Sequence, residues 1–349
     1  MKWNARVRHT VAALSAVMAV GVAGAMQPAM ALEKIPFTLN WKLGGIHGAV
    51  FLAMDRGYLK EEGIELDVVA GDGSANVVNR LASGAYQIGM GDIASVVRFN
   101  TLNPDRKVKA IYNQTPADLA VVTLKGRGIT KPMDLKGKKV GAPVGDTAYK
   151  MFPAFSAATG ISASDITWEH MAPNIREAML MQGKVDAAMA NEGTALFNMK
   201  GAGVKEEDMV FIRYNEHGVN LVNIGFMANE SYIKSNPETV RKIVRGLHRG
   251  FVAAMENPKA AIDALMKRDP LLKREIEMER LKYAVDRMIG QPDAKAGGLG
   301  FYSDATIAQS IDIVAAAEKL PSKIAVGDLI DMSFLPPAAE RAIPSPKTN

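Results

Sequence analysis

With 349 residues, 48% of them hydrophobic, the chain has ample material for one large domain or two smaller lobes. It contains no cysteine, which excludes disulfides, thiolate metal sites, a cysteine nucleophile and a lipid-modified cysteine. The net charge of +5 falls to +2 once Lys2, Arg6 and Arg8 at the N-terminus are set aside, too weak to argue for nucleic acid or a membrane surface.

Residues 1–31 read as a cleaved signal peptide. Lys2, Arg6 and Arg8 make a basic start, residues 11–26 an Ala/Val-rich apolar run, and Ala29-Met30-Ala31 a small-x-small cleavage site. Ser15, Gly21 and Gly24 interrupt the run, which is short for a span of ~20 apolar residues. The expected mature protein starts at Leu32, carries no lipid and is soluble in a Gram-negative periplasm. No other stretch is apolar and long enough to cross a bilayer.

After Leu32 strand and helix alternate. Residues 35–41 read as a strand, 48–62 as a helix ended by Gly63, and 64–70 as a second strand. A helix over 75–83 stops at Gly84, and short buried strands follow over 87–91 and 108–112. A second set begins with a strand over 139–144, which leads through Gly145-Asp146-Thr147 into a helix. A strand over 166–170 follows. A helix over 174–181 starts with Asn174 and Glu177 in capping-box spacing, and a strand over 185–191 closes the set. This alternation predicts α/β units around mostly parallel sheets.

The two sets echo each other. "SGAYQIGMGD" ends in Asp92 and "QGKVDAAMAN" ends in Asn191. Each is a helix end, a Gly stop and a small-residue strand, as a crowded central strand requires. From about residue 231 the chain turns helical. Ser235-Asn236-Pro237-Glu238 starts a helix with an apolar stripe of Val240, Ile243, Val244, Leu247, Phe251 and Met255. Lys242, Arg245 and Arg249 fall on its solvated face. Short helices are expected over 258–290, and an amphipathic one over 306–318.

Several residues stand where strands end. Trp41 follows an apolar strand and precedes Gly44-Gly45, which cannot cover it. Its indole offers a flat face to a ring or a donor to an anion, unless it is core. His47 is a ligand contact or a helix cap. Asp92 either accepts hydrogen bonds from a ligand or caps the next helix. Asn113 and Gln114 either line a cleft or satisfy a hinge. Gly145, Asp146 and Thr147 form a helix start able to hold an anion, or one that Asp146 caps. Asn191 and Glu192 close the second echo, and Tyr214 offers a second ring. His47, His170, His217 and His248 show no ligand spacing, so no metal or other cofactor is expected.

The motifs "HGAVFLAMDRGYLKEEGIELDVV", "GDGSANVVNRLASGAYQIGMGD", "MDLKGKKVGAPVGDTAYKMFPAFSAATGI", "MAPNIREAMLMQGKVDAAMA" and "DLIDMSFLPPA" occur in an order that resembles one family. It is the substrate-binding proteins of ABC importers in the nitrate/sulfonate/taurine and thiamine-pyrimidine-precursor group. The resemblance covers essentially the whole chain after the signal. It implies an α/β, bilobal, type II periplasmic-binding-protein fold, with two crossovers and a ligand cleft between the lobes. Lobe I would be residues 32–118 plus 226–349, and lobe II residues 119–225. It further implies a monomer that carries a small molecule to a membrane permease and its ATPase. In the pyrimidine-precursor binders a ring-stacking Trp is followed by a His, which Trp41 and His47 match; "KLGG" stands where that pattern has a more polar linker. Pyrimidine-like rings, aromatic or other small organic anions, and alkyl sulfonates remain open as ligands, as does presentation of ligand to a sensory receptor. A eukaryotic branch of the group synthesises the pyrimidine and carries a cysteine-rich motif. This chain has no cysteine and an expected signal peptide, so it is expected not to be an enzyme.

Overall fold

The computed structural model describes residues 31–344. The basic start and apolar run of the expected signal peptide lie outside the described residues. Among those described, no helix is long and apolar enough to cross a membrane.

Two five-stranded mixed sheets organise residues 33–344. The first contains β1 (Glu33–Thr38), β2 (Ile64–Val69), β3 (Ile88–Asp92), β4 (Val108–Asn113) and β10 (Ile224–Asn229). Its order is β2-β1-β3-β10-β4. The second contains β5 (Leu119–Leu124), β6 (Lys139–Ala142), β7 (Thr167–His170), β8 (Ala187–Asn191) and β9 (Met209–Arg213). Its order is β7-β6-β8-β5-β9. In each sheet four strands run in one direction and one inserted strand runs antiparallel: β10 against β3 and β4, β5 against β8 and β9. Each inserted strand is reached by a crossover from the other sheet. The chain crosses between the sheets after β4 and again before β10. The fold is therefore α/β and bilobal, with two crossovers.

The echoing segments become β3 and β8, which occupy equivalent central positions. Both are buried along nearly their whole length. The first lobe's core joins Ile35 and Phe37 of β1 to the stripe Val240, Ile243, Val244, Leu247 and Phe251 of helix Pro237–Glu256. That helix packs on helix Gly48–Asp55.

Some local expectations are corrected. The helix expected over 48–62 breaks at Gly57, whose φ of +75° is left-handed, into Gly48–Asp55 and Tyr58–Glu61. Arg245 and Arg249 are not merely solvated: they pair with Glu62 and Glu61 at 2.6 Å. Asn174 does not cap a helix. Residues 173–175 form a 3-10 turn, and Glu177 bonds Arg176 instead. Residues 258–290 hold one long helix, Arg274–Gly290, after the short Pro258–Met266.

Candidate functional site

A cavity of about 810 Å³ lies between the two sheets, at the carboxyl ends of β1, β3, β6 and β8. Open α/β sheets bind ligands at that end, where the loops are free to diverge. The wall includes the loops after β1 and β2, the helix starts after β3, β6 and β8, the crossovers near residues 115–118 and 223–224, residues 173–181, and one face of helix Arg274–Gly290.

Trp41 lines the cavity, half-buried. It belongs to none of the three buried hydrophobic clusters. His47 also lines the cavity but is spent on the loop itself. Its Nδ1 accepts the Gly44 N–H at 3.1 Å, so Nε2 carries the ring proton and donates to Asn40 Oδ1 at 3.1 Å. Burial, with nearby Arg280, lowers its pKa to about 3, so the imidazole is neutral. Gly44 lines the cavity; Gly45 does not. A Cβ on Gly45 would sit 2.2 Å from the Glu277 carbonyl oxygen, and its N–H donates to Glu277 Oε2 at 2.6 Å. Gly45 lets the loop lie on helix Arg274–Gly290.

Asp92 ends β3 and caps helix Ile93–Leu102, its Oδ1 accepting the Ala94 N–H at 2.7 Å. Its Oδ2 accepts the Thr147 hydroxyl from the other lobe. Burial pushes its pKa up to about 6 against these two hydrogen bonds. Asp146 caps the turn it starts, Oδ1 accepting Ala148 N–H at 2.8 Å, while Oδ2 accepts from Arg176 at 2.8 Å. Thr147–Lys150 is only four residues long. The anion role expected for Gly145–Thr147 is therefore met internally by Asp146, although all three residues line the cavity.

Asn191 lines the cavity and donates to Asp118 Oδ1 at 2.7 Å. Glu192, Tyr214, Asn113 and Gln114 are not brought to its wall. Glu192 is held by Arg213 at 2.6 and 2.8 Å. Tyr214 is core: its ring stacks on Phe155 with centroids 4.3 Å apart, and its hydroxyl donates to Ala148 O. Asn113 and Gln114 are buried in the first crossover, their side-chain amides without protein partners.

Sequence reading missed Asn40, Asp118 and Arg176 as site residues, and it did not bring helix Arg274–Gly290 to the site. That helix presents Glu277, Arg280, Tyr283, Ala284 and Arg287 to the cavity. Their spacing of three, three, one and three is one helical stripe, the signal that was there to be found. Arg280 reaches across to Gly193 O and Asn198 Oδ1 of the second lobe at 3.4 and 3.2 Å. Among the described residues no cluster of three His, Asp or Glu side chains has the arrangement of a metal site.

The family described as NMT1/THI5 like matches residues 46–261, more than half of the chain. A 4-amino-5-hydroxymethyl-2-methylpyrimidine phosphate synthase of Aspergillus parasiticus is 24% identical over 257 residues, 70% of this chain and 73% of that protein. A formylaminopyrimidine-binding protein of Halalkalibacterium halodurans is 25% identical over 282 residues, 77% of this chain and 81% of that one. The solved periplasmic aliphatic sulphonate binding protein of Escherichia coli superposes with a TM-score of 0.66 at 14% identity, over 86% of this chain and 92% of that one. This last likeness shows the fold: that of a periplasmic binding protein. The expectation that the chain is not an enzyme is corrected by the synthase match. A missing cysteine removes one kind of chemistry. It does not by itself exclude an enzyme.

Proposed function

The chain belongs to the NMT1/THI5-like family, and from that premise we propose that it is a solute receptor. It captures a small organic ligand between its lobes and delivers it, as a periplasmic monomer, to the permease and ATPase of an ABC importer. Lobe I comprises residues 32–118 and the chain from β10 to residue 344, and lobe II the residues between. The observation that carries the reading is Trp41. A large aromatic side chain outside every hydrophobic cluster, on the wall of an 810 Å³ cavity, is a ready stacking surface. Asp92, which lines the same cavity, is an acceptor for ring or amino N–H groups. Together they support a pyrimidine-like ring, in keeping with the relative named for binding formylaminopyrimidine.

The synthase relative favours a second reading, in which the same cavity holds a reacting pyrimidine. One experiment tests both. Residues 32–349 are screened against aminopyrimidines, aromatic carboxylates and alkyl sulfonates by thermal shift. A ligand at a hundredfold excess over Kd stabilises the folded form by about 2.7 kcal/mol. Mass spectrometry of the recovered compound then separates the readings: unchanged for a receptor, altered for an enzyme. A protein stabilised by no compound of any class counts against both.

A further inference from the structure

A second, smaller cavity of about 360 Å³ lies between helices Ser74–Ala82 and Ile93–Leu102 and the turn Thr147–Lys150. It shares no lining residue with the larger one, and its size is at the lower end of small-ligand sites, ~300–1,000 Å³. Its charge is opposite in sign. Arg98, Arg106 and Lys150 line it and no carboxylate does, whereas carboxylates outnumber cations on the larger wall. Three cations around one hollow repel one another, a cost that an anion between them would offset. Glu318 offsets it only in part: from outside the lining it pairs with Arg98 Nε at 2.6 Å and holds that guanidinium in place. Arg106 and Lys150 make no side-chain hydrogen bond or ion pair among the described residues. The Asn79 amide and the Ser95 hydroxyl also line the hollow without side-chain partners there. Both helices end at the hollow, where carbonyl oxygens would repel an anion. Two of these are already engaged, Phe99 O by Asn103 Nδ2 and Arg80 O by Ser83 Oγ, each at 2.9 Å.

We propose that this hollow is a second ligand site, for a small polyvalent oxyanion of the phosphate class, held by Arg98, Arg106 and Lys150. Cations this open to solvent are screened, and each alone gains little from a counter-ion. A monovalent anion is therefore held weakly. A phosphate or pyrophosphate group can meet all three cations at once, and the two guanidinium forks donate in pairs to its oxygens. Arg98 and Arg106 lie between β3 and β4 of the first sheet, and Lys150 between β6 and β7 of the second. The bound anion thus ties one lobe to the other. Lys150 ends the turn that Thr147 begins, and the Thr147 hydroxyl donates to Asp92 in the larger cavity. An anion on Lys150 secures that turn against the first lobe, whatever the larger cavity holds.

Sodium pyrophosphate is titrated at constant ionic strength into the isotope-labelled protein, and the Nε–H signals of Arg98 and Arg106 and the backbone amide of Lys150 are followed. Trp41 emission is read in parallel in a Trp168→Phe background. Pyrophosphate is expected to shift the three signals saturably and to leave Trp41 unchanged, which sets the site apart from the larger cavity. Arg106→Gln and Lys150→Gln, whose side chains hold nothing else, are each expected to weaken binding about three- to tenfold, the range of one solvent-exposed ion pair and somewhat above. The double variant is expected to lose saturable binding. Shifts that do not saturate in the wild type overturn the inference, as does saturation undiminished in the double variant. So does a saturable change at Trp41 with none at Arg98 and Arg106. A hexaglutamate peptide that binds here more tightly than pyrophosphate overturns it too, by making the hollow a protein-docking surface. If the double variant fails to fold, the wild-type titrations and the single variants decide. None of these results bears on the receptor reading, which rests on the larger cavity and its own ligand screen.

Discussion

Thr147 donates its hydroxyl to the Asp92 carboxylate across the cleft, joining the helix start after β6 to the end of β3. The same carboxylate caps helix Ile93–Leu102. One buried side chain therefore serves the first lobe's backbone, the contact between lobes and the wall of the cavity. A group with three duties is a natural place for closure, pH and ligand to be coupled.

The pH dependence follows from burial. Asp92 is raised from 3.8 to about 6 by desolvation, opposed by Thr147, Ala94 and Lys150 and assisted by Asp146. The folded chain thus holds this proton more tightly than the unfolded one. The stability it contributes is full below about pH 4 and is lost as pH rises through about 6, an effect of order ~3 kcal/mol. Asp92→Asn keeps an oxygen for Ala94 N–H and removes the titration. Urea titrations at several pH values are expected to show this variant more stable than wild type at pH 7 to 8, with the gap closing near pH 4. A constant gap across that range would mean that Asp92 does not titrate as its burial demands.

Thr147→Val removes the cross-lobe donor and keeps the shape. A hydrogen bond to a charged acceptor contributes ~1.5–3 kcal/mol, so the balance of closed to open lobes is expected to shift about tenfold or more toward open. Solution scattering is expected to give a larger radius of gyration for the variant without ligand. Identical scattering curves for the two proteins would remove Thr147 from the closure mechanism.

Much of the first lobe was legible because its signals are local. The apolar alternation of Ile35, Phe37 and Leu39, the stops at Gly63 and Gly84, and the stripe from Val240 to Phe251 each lie within one segment. The echo ending in Asp92 and Asn191 even located two equivalent central strands. The inserted strands β5 and β10 escaped because their pairing partners lie far along the chain. Helix Arg274–Gly290 escaped for a related reason. Glu277, Arg280 and Arg287 look like a solvated face, and only the approach of the second lobe turns that face into a wall. Tyr214 was misread in the opposite sense. A ring after a strand offers no local sign that Phe155 will cover it.

Gly45 makes a sharp test of how the loop after β1 is held. Its hypothetical Cβ meets backbone, the Glu277 carbonyl oxygen at 2.2 Å and the Leu281 nitrogen at 2.8 Å. Neither can swing aside as a side-chain tip would. Gly45→Ala is expected to cost ~1–3 kcal/mol by overpacking and to weaken ligand binding as the loop shifts. Gly201→Ala, with nothing within 4 Å of its Cβ position, is the control and is expected to be neutral or mildly stabilising. Equal stabilities for the two variants in thermal melts would show that the loop yields without cost.

Trp41 carries the functional reading, so its substitution must separate a cavity wall from a core residue. Without residues 1–31 the chain keeps two tryptophans, Trp41 and Trp168. Trp168 is held by Tyr149 and Phe152, each 5.0 Å away, and donates to Ala163 O. In a Trp168→Phe background the remaining emission belongs to Trp41, and a ring that stacks on it is expected to change that emission saturably. Trp41→Ala is expected to weaken binding by ~1–3 kcal/mol, roughly 5- to 150-fold, through lost apolar burial and aromatic contact. Stability without ligand is expected to fall by less than the ~3–5 kcal/mol that truncating a core tryptophan costs, because Trp41 is half-buried and lies outside every hydrophobic cluster. Calorimetry for binding and urea titration for stability read the two quantities apart. An intact affinity, or an unfolded variant, would make Trp41 a packing residue and remove the ring-stacking wall from the proposed receptor.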